Sequence, residues 1–263
     1  MQNALWHDIE KIRSEAPLVH NITNYVAMNT TANALLALGA SPVMAHAIEE
    51  VEEMAGLARA LVINIGTLSS AWVASMQAAV HAAKAKGVPI VLDPVGAGAT
   101  KFRTETARNL LALAAPCIVR GNASEVLALG AEAQTTKGVD STHTSDAALV
   151  VAQELAARHA CVVSISGATD LIVAADRVLL LSHGDAMMTR VTGMGCVASA
   201  LTGAMTAVSP SLVHAAAHAM AVMGIVGEKA ALRAHGPGSF QVEFMDALYT
   251  LQKSDFNHLR VQG

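Results

Sequence analysis

The run Val88-Pro89-Ile90-Val91-Leu92-Asp93 is apolar without alternation and ends in an acid. A strand of this kind is buried on both faces, which is the situation in a parallel sheet covered by helices. The neighbouring stretches fit that frame. Residues 60–64, 117–120 and 161–166 are short apolar runs, and residues 17–24 and 41–45 read as further extended segments. Helical stretches at residues 4–14, 25–38, 49–59, 71–86, 103–114, 122–129 and 145–159 alternate with them. Thr23 or Asn24 is placed to cap the helix at 25–38, and Gly39 and Gly87 to close two others. Residues 171–174 and 178–181 are near enough to pair as a hairpin across Ala175-Asp176-Arg177. The C-terminal third reads as helical, with Gly236-Pro237-Gly238 breaking it before a last helix at 240–252. Alternating strands and helices predict an α/β sandwich, and with no linker in view the expectation is one domain over residues 1–263.

Hydrophobic residues fill 53% of the 263 positions and charged residues only 14%. Much of the chain must be buried, and self-association is the natural way to cover what one globule leaves exposed. Residues 191–227 contain no Asp, Glu, Lys or Arg. The break at Ser209-Pro210-Ser211 leaves pieces shorter than the roughly 20 residues that cross a bilayer. Two buried helices, at 194–207 and 212–226, are expected there, and no membrane. A net charge of -4 and 3% aromatic residues exclude a basic footprint and stacking platform for nucleic acid. Three dispersed cysteines form neither a disulfide framework nor a zinc spacing, which suits the reducing cytoplasm. Residues 1–11 carry Asp8 and Glu10 and no apolar core, so no secretory signal is expected.

Four segments carry chemistry. Thr192-Gly193-Met194-Gly195-Cys196 precedes a small, apolar helical run. Two glycines at a loop-to-helix junction leave backbone N–H groups bare, and the helix dipole adds positive potential, so Gly193, Gly195 and Cys196 form a candidate anion hole. Cys196 falls in the first turn, where a thiolate is stabilised. Asp93-Pro94-Val95-Gly96-Ala97-Gly98 puts a carboxylate at the C-terminal end of a strand, the edge where open α/β sheets bind ligands. Arg120-Gly121-Asn122-Ala123-Ser124-Glu125 repeats the design after the next strand. Arg120 can hold a phosphate. Glu125 with Asp93 suits a water-rich Mg²⁺ site, and Glu125 with Asn122 also reads as a capping box. Ser166-Gly167 ends another strand with Asp170 nearby, and the Ser166 hydroxyl is a candidate phosphate contact. Met44, at a strand end, reads as a pocket wall. His214 and His218 are one helical turn apart without a third ligand, so zinc is not expected. The sequence has no G-x-x-x-x-G-K-[ST] loop, and no G-x-G-x-x-G follows a strand. The ensemble therefore predicts a nucleotide-phosphate site of another design.

Thr-Gly-Met-Gly-Cys, Asp-Pro-Val-Gly-Ala-Gly-Ala and Arg-Gly-Asn-Ala-Ser-Glu together resemble the ribokinase-like superfamily. Asn21-Ile22-Thr23-Asn24, Leu38-Gly39-Ala40-Ser41-Pro42-Val43-Met44 and Gly236-Pro237-Gly238-Ser239-Phe240 resemble, within it, the hydroxyethylthiazole kinase family. The likeness runs in order from about Pro17 to Phe240. It implies a three-layer αβα sandwich with a mostly parallel sheet and no separate lid domain. It also implies transfer of phosphate from ATP, with Mg²⁺, to 4-methyl-5-(2-hydroxyethyl)thiazole in thiamine salvage, by a homotrimer with sites between subunits. On this likeness Arg120 and Ser166 contact ATP, Ser166 standing where threonine is expected. Asp93 and Glu125 fall in the magnesium region, and Met44, Gly193 and Asn24 contact the alcohol. Cys196 stands where most of the superfamily has the Asp that acts as base, and Met194 where Ala is expected. Two other readings stay open within the superfamily. One is a kinase for another small alcohol such as hydroxymethylpyrimidine; the other is an ATP-dependent lyase.

Overall fold

The apolar run at residues 88–93 becomes the strand Ile90–Asp93, inside a nine-stranded sheet. The computed structural model describes residues 1–130 and 141–263. In chain order the strands are β1 (Leu18–Ile22), β2 (Ser41–Val43), β3 (Ala60–Asn64), β4 (Ile90–Asp93), β5 (Ile118–Asn122), β6 (Val162–Ser166), β7 (Asp170–Val173), β8 (Val178–Leu181) and β9 (Val261–Gln262). Their spatial order is β2-β1-β3-β4-β5-β6-β7-β8-β9. The pairs from β2 through β6 are parallel, and β7, β8 and β9 continue antiparallel. The sheet is thus mostly parallel, and the predicted hairpin is β7–β8.

The helices are α1 (Gln2–Glu15), α2 (Met28–Leu38), α3 (Val51–Leu57), α4 (Ser70–Ala85), α5 (Lys101–Ala114), α6 (Ala123–Gly130), α7 (Ser141–His159), α8 (Met194–Thr206), α9 (Leu212–Ala231) and α10 (Pro237–Tyr249). They form two layers. Val62 of β3 and Val91 of β4 point into one core with Leu35, Leu201, Val222 and Phe244 from α2, α8, α9 and α10. Leu61, Ile63, Ile90 and Leu92 point into the other, with Val51, Met76, Leu110, Val126 and Leu155 from α3 to α7. Both faces of β3 and β4 are covered, which is why their sequences do not alternate. Each fully buried Leu, Ile or Val side chain contributes about 1.5–3 kcal/mol. The charge-free stretch forms α8 and α9, buried almost all round. No helix among the described residues is long and apolar enough to cross a membrane.

Several boundaries move by a few residues, and local hydrogen bonds or a proline account for two of them. The helix expected from Tyr25 starts at Met28, because Asn24 first makes a turn. Its side-chain Oδ1 accepts from Ala27 N at 3.0 Å and its main-chain oxygen from Met28 N at 3.1 Å. Gly236-Pro237-Gly238 opens α10 instead of breaking the chain before it: Pro237 takes the first helical position, where its missing N–H costs nothing, and Ser239 Oγ accepts from Gly236 N at 3.2 Å. The two-residue β9 was not foreseen.

Candidate active site

The C-terminal ends of β4, β5 and β6 and the start of α8 surround a cavity of about 800 Å³. Asp93, Arg120, Glu125, Ser166, Gly193, Gly195 and Cys196 all line it. Seven residues from four separated segments therefore meet where the parallel sheet predicts a ligand.

Asp93 ends β4 and is 1% exposed. Its Oδ2 accepts from Asn64 Nδ2 and from Ser199 Oγ, both at 2.7 Å. Burial raises its pKa to about 7, against the opposing pull of Arg120, Ser199 and Asn64, while the charge of Glu125 pushes the same way as burial. Among the described residues, both of its side-chain hydrogen bonds go to Oδ2, leaving Oδ1 for a cation or its water. Glu125 is more fully engaged. Oε1 accepts from Gly96 N and Oε2 from Asn122 N, each at 2.9 Å, and Asn122 Oδ1 returns the bond from Glu125 N at 3.0 Å. The capping box is real, and it points the carboxylate into the cavity. Among the described residues no three His, Cys, Asp or Glu side chains form a metal cage of their own. Magnesium carrying a nucleotide asks for fewer, since phosphate oxygens and waters fill the other positions. The charge and placement of the two carboxylates would suit such an ion.

Arg120 lies on β5, 8% exposed, and among the described residues it makes no hydrogen bond or ion pair. Its Nε is buried without a partner. A guanidinium kept out of water and left unpaired is costly, and a phosphate reaching the cavity would relieve it. The start of α8 is shaped around it. Gly193 has φ +82°, a left-handed conformation that side chains rarely adopt, and a Cβ on Gly195 would come within 2.8 Å of Arg120 Nη1. The first N–H groups of α8 have no intrahelical acceptor and face the same space. Ser166 Oγ donates weakly to Gly121 O at 3.5 Å. Asp170 accepts from Gly167 N at 3.0 Å, and burial lifts its pKa to about 6.

Cys196 corrects an expectation. A helix start lowers a thiol's pKa, yet here burial, and next the charge of Asp93, raise it above the ordinary value. The thiol is therefore neutral at pH 7. Its Sγ accepts from Asn24 Nδ2 at 3.2 Å, and the same amide donates to Asn64 Oδ1 at 2.9 Å. Asn64 thus joins Asn24 to Asp93, opposite which it lies in the β3–β4 register. Asn64 was missed, though a polar residue ending an apolar strand was the signal that singled out Asp93. Ser199 and Arg103 were missed without such a signal. Arg103 donates to the carbonyls of Ile65 (3.0 Å), Val95 (2.8 Å) and Gly66 (2.7 Å), tying together the loops after β3 and β4.

Asn24 and Met44 lie outside the cavity lining. Asn24 reaches it through Cys196; Met44 follows the edge strand β2. His218 Nδ1 bonds Asp8 Oδ2 at 2.7 Å and its ring stacks on His214.

The model of the hydroxyethylthiazole kinase family matches residues 9–254. The chain belongs to this family. It is 57% identical to a hydroxyethylthiazole kinase of Syntrophus aciditrophicus, over 95% of this chain and 93% of that one. Among solved structures it is similar to a hydroxyethylthiazole kinase protein of Pyrococcus horikoshii, with a TM-score of 0.90, 44% identity and 98% of both chains covered. A ribokinase-like superfamily protein of Enterococcus faecalis shares only the fold, at 14% identity and a TM-score of 0.69. Family membership and fold agree with the ribokinase-like sandwich expected from the sequence. These likenesses favour neither the pyrimidine alcohol nor the lyase.

Proposed function

We propose that this chain, a single domain over residues 1–263, transfers the γ-phosphate of ATP to the hydroxyl of 4-methyl-5-(2-hydroxyethyl)thiazole. The observation that carries the reading is Arg120, buried and unpartnered in a cavity it shares with two carboxylates and the open start of α8. Phosphoryl transfer needs positioning and charge stabilisation more than covalent chemistry. Arg120 and the Ser166 hydroxyl hold the phosphates of ATP. N–H groups at Gly193, Gly195 and Cys196 face the transferring charge. Asp93 and Glu125 would hold a magnesium ion, which when bound would offset charge on the phosphates. Cys196 lies beside the alcohol oxygen. As a neutral thiol it orients that oxygen; only its scarce thiolate form takes the alcohol's proton, becoming the thiol late in the transfer, so its share of the rate is modest.

Gly193 and Asn24, the latter through Cys196, border the alcohol. Met44 stands apart from the cavity lining within one chain, at the end of the edge strand β2. The complete alcohol site therefore joins the cavity of one subunit to the Met44 edge of another, in a homotrimer. We place the enzyme in the cytoplasm, in thiamine salvage. ADP release measured with and without the thiazole alcohol tests the reading. ADP should form only when ATP, Mg²⁺ and the alcohol are all present. Equal release without the alcohol would contradict it.

A further inference from the structure

The cavity wall at residues 183–189 is held from behind by residues distant in sequence. His183, Gly184, Ala186, Met188 and Thr189 line the cavity, on a segment whose only regular structure is the 3-10 turn Ala186–Arg190. This segment docks on one face of α9, where Gly224, Gly227 and Glu228 are three and four residues apart. A Cβ on Gly224 would come within 2.4 Å of His183 Cβ, and one on Gly227 within 2.5 Å of Met188 Sδ. Bare backbone is what lets the wall settle there.

Glu228 then pins it. Its Oε1 accepts from Gly184 N at 3.2 Å and pairs with His183 Nδ1 at 3.2 Å. Arg260 closes the assembly from the other side. Its guanidinium donates to the same Glu228 oxygen and, at 2.6 Å, to Ser182 O. Its main-chain N–H donates to His183 Nε2 at 2.7 Å. A backbone N–H only donates, so Nε2 is the acceptor and Nδ1 carries the proton given to Glu228. Both ring nitrogens of His183 are thus bound within the protein, and its ring shapes the cavity without a free polar atom. Pairing of Leu180 with Gln262 and Leu181 with Val261 keeps Arg260 in register.

We propose that Arg260, Glu228 and His183 are positioning residues for the donor nucleotide, locking residues 183–189 in the shape that receives it. The inference rests on the reading of this cavity as the ATP site. A wall ordered beforehand need not be ordered on binding, so the device acts on nucleotide affinity. Among the described residues no hydrogen bond joins these three side chains to Asp93 or Cys196, so the alcohol end should be the less affected.

The test uses the full chain and the variants Arg260→Ala and Arg260→Lys, with ADP binding by calorimetry beside steady-state kinetics. Arg260→Ala should weaken ADP binding and raise the ATP KM about tenfold, with the thiazole KM and kcat changed less than about twofold. Arg260→Lys should recover part of the loss, because an ammonium reaches Glu228 but cannot also bond Ser182 O. Folded Arg260→Ala that binds ADP like the parent would overturn the inference. So would an equal rise in both KM values with a fall in Tm, the mark of a merely structural role. A parent that binds ADP yet phosphorylates no thiazole would contradict the proposed reaction alone, and the ADP titrations would still judge Arg260. A parent that binds no ADP would overturn both.

Discussion

Asp93 is held in a place that resists its charge. Its folded pKa of about 7 stands above the ordinary 3.8, so the folded state binds the extra proton between those values. The penalty is therefore absent below the lower value and grows as the pH rises through the upper one. Asp93→Asn keeps the shape and loses the charge. Without magnesium it should melt several degrees above the parent at pH 8, on a scale of about 2–4 °C per kcal/mol, and the gap should close toward pH 4. Thermal melts at both pH values decide this; a parent that melts higher at pH 8 contradicts it. Cys196 is also held neutral, by burial and by Asp93. A base present only as a scarce thiolate adds little to a loose transition state, so Cys196→Asp should stay active and at least match the parent, while Cys196→Ala keeps residual activity with ATP binding little changed. Covalent catalysis by the thiol would instead make Asp as damaging as Ala. Rates of the three proteins, with folding checked by circular dichroism, separate the two: a folded Cys196→Asp no better than Cys196→Ala overturns the base role.

At the scale of elements, the junction before α8 works because β5 brings Arg120 against it. Gly195→Ala places a methyl 2.8 Å from Nη1, and the flexible guanidinium must give way. The ATP KM should rise about tenfold while Tm stays within a few degrees of the parent. An unchanged ATP KM would separate Arg120 from the phosphates. The elements also show what was legible beforehand. β3, β4 and β6 were plain from their apolar runs, since burial on both faces leaves no alternation. The ends of β4, β5 and β6 stood out because a polar group there has no core to join. Asn64 obeyed the same rule and was passed over as a strand end. Ser199 and Arg103 left no mark, because their partners are carboxylate and carbonyl oxygens far away in sequence. The same holds for β9, two residues that acquire meaning only beside β8. The neutral state of Cys196 was hidden too: a helix start is visible in sequence, whereas burial and the nearby Asp93 are not.

For the whole molecule, composition and surface agree. With 53% hydrophobic residues the chain still leaves Tyr25, Val26, Ile48 and Leu57 each more than half exposed. Isolated exposed apolar side chains are ordinary, but the adjacent pair Tyr25 and Val26 calls for cover. Sedimentation at micromolar concentration should show a trimer, and a stable, active monomer would sink both the assembly and the shared alcohol site. The proposed reaction is narrower than phosphoryl transfer at large: a phosphate passes from ATP to this one alcohol. Its most direct measurement is mass spectrometry of the products when the thiazole alcohol and hydroxymethylpyrimidine compete in equal amounts for limiting ATP and Mg²⁺. The account predicts the thiazole phosphate ester in excess by about tenfold or more, matched by the ADP formed. A pyrimidine ester in excess, or ADP without any ester, would contradict it.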